Sequence, residues 1–306
     1  MTGVCTVAYV TWDKTHLGKI GVWWSGSWKP PEEDGVEPAR ELESAGYGAF
    51  WSSGGFKPGL SERFDRLLGA TDRAIVASGI VNIWLTEAQD LASAFHQLDR
   101  LHPGRFLLGL GASHAPLVDG YSRPYEKMVG YLDALDASRP PVPKERRLLA
   151  ALRPRMLELS ASRAAGAHPY LVPVEHTFRA RRVLGEGPIL APEVTVVPES
   201  DPSKARALGR RFASGYLALP NYVNNLRSLG FDDDDLAAGG SDRLIDALVV
   251  WGDLEAIGTR VREHLEAGAD HVCVQVLAPF EGFPLAQYKD LASALATERQ
   301  SPNGLT

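Results

Sequence analysis

The chain has 306 residues, 44% of them hydrophobic and 23% charged, which is enough apolar material for a large core in one domain or two. A formal net charge of -6 with no basic run leaves no electrostatic footprint for nucleic acid or an anionic membrane surface. MTGVCTVAYVTWDKT at the N-terminus lacks a basic segment before an apolar core, and AIVASGIVNIWL is too short and interrupted to span a bilayer, so a cytoplasmic protein is expected.

Along the chain, short apolar runs alternate with helical patterns. KIGVWW (19–24) predicts a strand and PARELESAG a helix, with Pro38 in its first turn and Gly46 at its C-terminal cap. YGAFWSS (47–53) is the second strand, followed by the helix SERFDRLLG. RAIVASGIVNIW (73–84) is the third. Thr86, Glu87, Ala88 and Gln89 then predict a capping box for a helix with Leu91, Phe95, Leu98 and Leu101 on one stripe. That helix stops at His102-Pro103-Gly104, and RFLLGLG (105–111) is the fourth strand. PYLVP (169–173) leads into TFRARRVLG, and EVTVVP (193–198) into SKARALGRRFASGYL. DLEAIGTRVREHLEAG feeds HVCVQVL (271–277), which precedes the helix PLAQYKDLASALA. ALVVWG (247–252) is a weaker eighth strand that suits a helix end equally well.

Strands alternating with helices predict an α/β fold with a parallel sheet, and eight such units in 1–306 predict a single (β/α)8 TIM barrel. Segments 115–160 and 216–245 exceed the unit. They hold YEKMVGYLDALD and YVNNLRSLGF and are expected to be helical insertions covering the C-terminal face. The run Asp232 to Asp235 is expected to be a solvated loop capping the next helix. Cys5 and Cys273 are far apart and are expected to be packed or idle thiols, with no disulfide framework and no metal site.

In barrels of this kind the chemistry lies where the strands end. Those ends carry Trp51-Ser52-Ser53-Gly54-Gly55, Gly79-Ile80-Val81-Asn82, Gly111-Ala112-Ser113-His114 and Pro173-Val174-Glu175-His176-Thr177. None holds the lysine of a Schiff-base aldolase, and the histidines show no H-x-H or H-E-x-x-H pairing for a metal hydrolase. Ser113 lacks the second glycine of a nucleophile elbow. His114 stands where a dinucleotide fingerprint needs its third glycine. What remains is a site for a flat, phosphate-bearing cofactor that performs the chemistry itself.

Four blocks in order, RFLLGLGASH after HPG, GAHPYLVPVEHT, LAPEVTVVPESDPSKARALGRR and EAGADHVCVQVL, resemble the bacterial luciferase-like superfamily. They look closest to its actinobacterial branch of F420-dependent oxidoreductases, from Gly21 to about residue 295. The resemblance implies a (β/α)8 barrel that works as a homodimer and holds F420, or alternatively FMN, at the C-terminal face. It implies a non-prolyl cis peptide at Gly79-Ile80 behind the cofactor ring, with Val81 next to it and Asn82 bonding the pyrimidine edge. It brings the backbone of Gly111, Ala112 and Ser113 against the ring. Val174, Glu175, His176 and Thr177 match the phosphate-tail loop, where free N–H groups and a helix dipole attract an anion. Arg179, Arg181 and Arg182 add positive charge there, which Glu175 opposes.

His114 falls where relatives place an acid/base group, and an imidazole with a pKa of about 6.5 exchanges protons near neutrality. Relatives that oxidise alcohols or sugar phosphates carry Asp-His where Gly54-Gly55 stand, so those substrates are disfavoured. Trp51, Ser53 and Trp84 are then expected to form a substrate pocket, apolar at the two tryptophans, which alternatively stack on the cofactor. The expected function is hydride transfer between F420 and an apolar or aromatic small molecule, with His114 as proton donor. The alternatives are an FMN-dependent luciferase-like monooxygenase and a barrel that binds a flavin or deazaflavin without turnover.

Overall fold

In the computed structural model, which describes residues 13–24, 36–53, 60–279 and 282–297, the apolar runs become a ring of parallel strands. β1 (Ile20–Trp24) pairs with β2 (Ala49–Ser52), and β2 with β3 (Ile75–Ser78). After a break the third position resumes as β4 (Val81–Asn82), and both halves lie against β5 (Phe106–Gly111). The path continues through β6 (Arg147–Leu149), β7 (Gly166–Ala167) and β8 (Ile189–Leu190). Past Ala191-Pro192 the same run becomes β9 (Glu193–Val197), flanked by β10 (Val249–Trp251) and β11 (Val272–Val276). β11 pairs back onto β1, so eight strand positions close the (β/α)8 barrel and β10 lies outside it.

Strand parity separates two cores. Trp51, Ala77, Leu107, Leu148 and Cys273 point into the barrel, and the alternating Val22, Phe50, Val76, Leu108 and Val274 face the helices. Those helices are α1 (Val36–Ser44), α2 (Leu60–Ala70), α3 (Ala88–Leu101), α4 (Pro124–Ala137), α5 (Pro154–Arg163), α6 (Val174–Leu184) and α7 (Pro202–Leu217). α8 (Pro220–Ser228), α9 (Asp233–Leu236), α10 (Asp242–Leu248), α11 (Leu254–Glu266) and α12 (Leu285–Thr297) complete the order. Residues 216–245 thus fold mainly as α8, α9 and the start of α10, over a separate apolar cluster that includes Ala213, Leu226, Phe231 and Leu248.

Several sequence expectations need correction. Segment 115–160 is not only cover, because it supplies the ring strand β6. That strand is three residues long and begins with an arginine, so only two of its residues are apolar. Arg147 is nevertheless buried, since its Nη2 donates to Asp136 at 2.7 Å and also to the Val142 carbonyl. PYLVP is not a strand; Gly166–Ala167, just before it, takes the sixth ring position, and Leu171 turns away with a left-handed φ of 52°. ALVVWG is divided: Ala247 and Leu248 end α10, and Val249–Trp251 form a strand that pairs outside the ring. α3 is N-capped by Glu87 without a side-chain bond, and the Thr86 carbonyl accepts from the Tyr131 hydroxyl instead. Asp232 caps α9, whereas Asp235 is buried against Ser241 and Arg243. Cys273 is a buried free thiol; Cys5 and Gly54-Gly55 lie outside the described residues.

Candidate active site

A cavity of about 380 Å³ opens where the strands end. Its floor forms at the break between β3 and β4, where the Gly79–Ile80 peptide is cis, as the resemblance implies. A side chain at Gly79 would come within 2.6 Å of the Trp23 ring, and one at Gly111 within 2.4 Å of the Ile80 side chain. Both positions therefore need glycine for close packing.

Beside the floor, His168 is stacked against two indoles. Its ring lies 5.7 Å from Trp23 and 4.3 Å from Trp51, within 18° and 16° of parallel. His168 Nδ1 lies 2.7 Å from the Ala191 carbonyl, so that nitrogen carries the proton. Burial lowers the His168 pKa to about 4. Deeper in the barrel, Trp51 Nε1 donates to His271 Nε2 at 3.0 Å, and His271 Nδ1 donates to the Gly18 carbonyl.

Seven expected site residues border the cavity: Ser53, Gly79, Ile80, Gly111, Ala112, Ser113 and His114. The left-handed φ of 57° at Ser113 turns the chain out of β5. His114 then packs 5.5 Å from Tyr222, with Nδ1 3.4 Å from Asn221 Nδ2. Burial lowers the His114 pKa, so the imidazole is neutral at pH 7.

The others lie elsewhere. Trp51 belongs to the barrel core, and Val81 is buried towards the helices. Asn82 Oδ1 already accepts the Trp84 backbone N–H at 3.0 Å. Trp84 does not line the cavity; it ties the strand ends together by donating from Nε1 to the Ala112 carbonyl at 2.7 Å. None of Val174, Glu175, His176 and Thr177 reaches the cavity. His176 Nε2 meets the Leu152 carbonyl at 2.7 Å, and Thr177 Oγ1 meets His264 Nδ1 at 2.8 Å, both in the core. Glu175 pairs with Arg179, and Arg181 with Asp270 at 2.6 Å. The Arg182 guanidinium lies over the Phe178 ring.

The turn from β6 into α5 occupies the cavity mouth instead. Ala150, Ala151, Leu152 and Arg153 line it, and Arg153, the N-cap residue of α5, is exposed with no acidic partner among the described residues. The opposite wall is aromatic. Tyr170 donates to Gln275 Oε1 at 2.7 Å, Tyr216 donates to the Tyr170 hydroxyl at 3.2 Å, and Tyr222 packs 5.1 Å from Tyr216. Tyr216, Asn221 and Tyr222 come from the segment expected to cover the active face, the one sequence signal that pointed to them. Behind this wall Glu193 is fully buried, held by the Leu171 N–H at 3.0 Å and the Thr195 hydroxyl at 2.6 Å. Burial pushes its carboxyl up to about 7. The described residues hold no group of three metal-ligating side chains, and no helix among them is long and apolar enough to cross a membrane.

A closed parallel barrel with an apolar cavity at its strand ends is an α/β barrel whose candidate site lies at the C-terminal face. Residues 21–271 match the family described as luciferase-like monooxygenase, and the chain belongs to that family. Three solved structures share the fold. An F420-dependent secondary alcohol dehydrogenase, in complex with an F420-acetone adduct, aligns with a TM-score of 0.70 at 16% identity, over 90% of this chain and 98% of the other. The coenzyme F420-dependent tetrahydromethanopterin reductase from Methanopyrus kandleri aligns with a TM-score of 0.69 at 15% identity, over 92% and 99%. The oxygenating constituent of 3,6-diketocamphane monooxygenase from Pseudomonas putida, in complex with FMN, aligns at 0.61 and 15% identity, over 94% and 99%. No curated protein matches the chain by sequence.

Proposed function

We propose that this chain is an F420-dependent oxidoreductase that exchanges a hydride with an apolar or aromatic organic molecule. The observation that carries the reading is the cavity itself: tyrosine and tryptophan walls, a half-buried imidazole at His114, and at the mouth Arg153, which has no acidic partner among the described residues. Two of the solved structures that share the fold are described as F420-dependent enzymes, which supports the choice of cofactor.

The chain's own residues fit such a group. Gly79, Ile80 and Gly111 form a close-packed floor for a flat ring, and Ala151 and Met156 keep the adjoining wall apolar. Arg153 and the start of α5 would hold the anionic tail, since the side chains of His176 and Thr177 are committed to the core. When bound, F420 supplies a two-electron hydride carrier at the deazaflavin C5.

His114 moves the accompanying proton. Neutral at pH 7, it accepts the proton that substrate oxidation releases; protonated, it returns one in the reducing direction. Reduction therefore speeds up as pH falls through the lowered His114 pKa, and oxidation slows over the same range. Asn221 holds the imidazole in place, and the Tyr216–Tyr170–Gln275 chain occupies its own hydroxyls so that they do not compete for the substrate.

Fluorescence titration of the protein with F420 and with FMN, separately, tests the cofactor. Tight FMN binding with none for F420 would establish the monooxygenase alternative, and binding of neither would favour a non-catalytic barrel. His114→Ala is expected to lower turnover and spare cofactor affinity; unchanged turnover would remove His114 from the mechanism.

A further inference from the structure

His168 has no role in the proton transfer above, yet its geometry is the most constrained in the cavity. β7 is only two residues long, Gly166–Ala167, and the next residue turns its side chain into the barrel mouth. The ring is 1% exposed, and the faces of Trp23 and Trp51 fix its plane. The Ala191 carbonyl holds the proton on Nδ1, because the other tautomer would set a lone pair against the carbonyl oxygen. Nε2 is thereby left as an acceptor, and no group among the described residues donates to it. A Cβ placed on Gly79 would lie 3.4 Å from this nitrogen, so Nε2 faces the Gly79–Ile80 floor. Buried acceptors are ordinarily satisfied, and one that borders a cavity is matched to what enters it.

We propose that His168 Nε2 is the hydrogen-bond acceptor for an N–H on the pyrimidine-like edge of the flat ring that lies over Gly79 and Ile80, an assignment that rests on the cofactor reading above. The site then selects rings by a donor edge as well as by shape. Asn82, which the resemblance implies for that edge, already accepts from Trp84, so His168 supplies the polar contact in its place.

The test uses the intact protein with 15N-labelled histidine, titrated with F420 and with FMN. In the free protein His168 is expected to show the Nδ1–H tautomer with an unprotonated Nε2, and ring binding is expected to move the Nε2 resonance upfield. His168→Phe keeps the stacking on the two indoles and removes the acceptor; it is expected to weaken binding about tenfold with little change in Tm. A ring that binds while the Nε2 resonance stays fixed would overturn the assignment, as would wild-type affinity in a folded His168→Phe. Should that variant fail to fold, the wild-type spectrum decides alone. If the wild type binds neither cofactor, the cofactor reading and this assignment fall together, whereas equal binding by wild type and variant removes only the assignment.

Discussion

Three segments are expected to hold the cofactor, Gly79–Asn82, the end of β5 at Gly111–Ser113 and the start of α6 at Val174–Thr177; the first, through Gly79 and Ile80, and the second border the cavity, and the third does not. The chain leaves β5 outward through the left-handed Ser113, so the backbone and the His114 ring face the opening. After β7 it turns inward at His168 and bends again at Leu171, which brings the first turn of α6 against Leu152 and His264. A helix N-terminus attracts an anion only where its N–H groups are open to one. The first turn of α5, with Arg153, borders the cavity mouth; that of α6 does not.

The sharpest way to break this contrast is to fill one segment and trim the other. Gly111→Val drives a side chain into Ile80 and is expected to reduce cofactor affinity about a hundredfold or more, whereas Glu175→Ala should leave it within about twofold. Fluorescence titration, with circular dichroism to check the fold, measures both. A large loss in Glu175→Ala would restore α6 as the site.

The next effect concerns charge. Arg153→Ala is expected to weaken a phosphate-bearing cofactor about tenfold and to leave the affinity of tail-less lumiflavin unchanged. Arg179, paired with Glu175 and donating to the Ser228 carbonyl at 2.7 Å, should tolerate alanine without loss for either ligand. The reverse ranking would put the anion site back on α6.

Buried titrating groups on both sides predict how stability varies with pH. His168 and His271 at about 4, and His264 at about 3, titrate below the ordinary 6.5 because burial disfavours their charged forms. Their contribution is present above pH 6.5 and is lost as pH falls through the folded values, each tenfold change in proton affinity being worth about 1.4 kcal/mol. Glu193, raised to about 7, acts in the opposite sense, with stability present below its ordinary value and lost as pH rises to about 7. Melting curves from pH 4 to 8 should therefore fall off on the acid side, and Glu193→Gln, which removes the opposing contribution, should steepen that fall between about pH 5 and 6.5. An unchanged slope would mean that Glu193 is ionised throughout.

Legibility in the sequence follows the same division. VWW, IVAS and FLLGLG are long enough to announce strands, and the ends of the last two located Gly79, Gly111 and His114 at the cavity. RLL and GA carry no such signal, because a strand with ring neighbours on both sides needs only two or three residues to pair. Missing the GA strand hid His168, whose inward direction depends on strand parity. The tyrosines of the cover were legible as a region and not as individuals, because the fold of α7 and α8 decides which of them turn towards the cavity.

The smallest expected effect separates structure from site within α6. Thr177→Val keeps the side-chain shape and breaks the contact with His264 Nδ1, 2.8 Å away in the core. His264 is held neutral by burial, so one of its nitrogens loses a partner that water cannot replace, and stability should fall by about 1 kcal/mol. Cofactor affinity should not change, because neither residue borders the cavity. A thermal melt paired with a fluorescence titration checks both halves. Loss of affinity at unchanged stability would mean that α6 reaches the ligand after all.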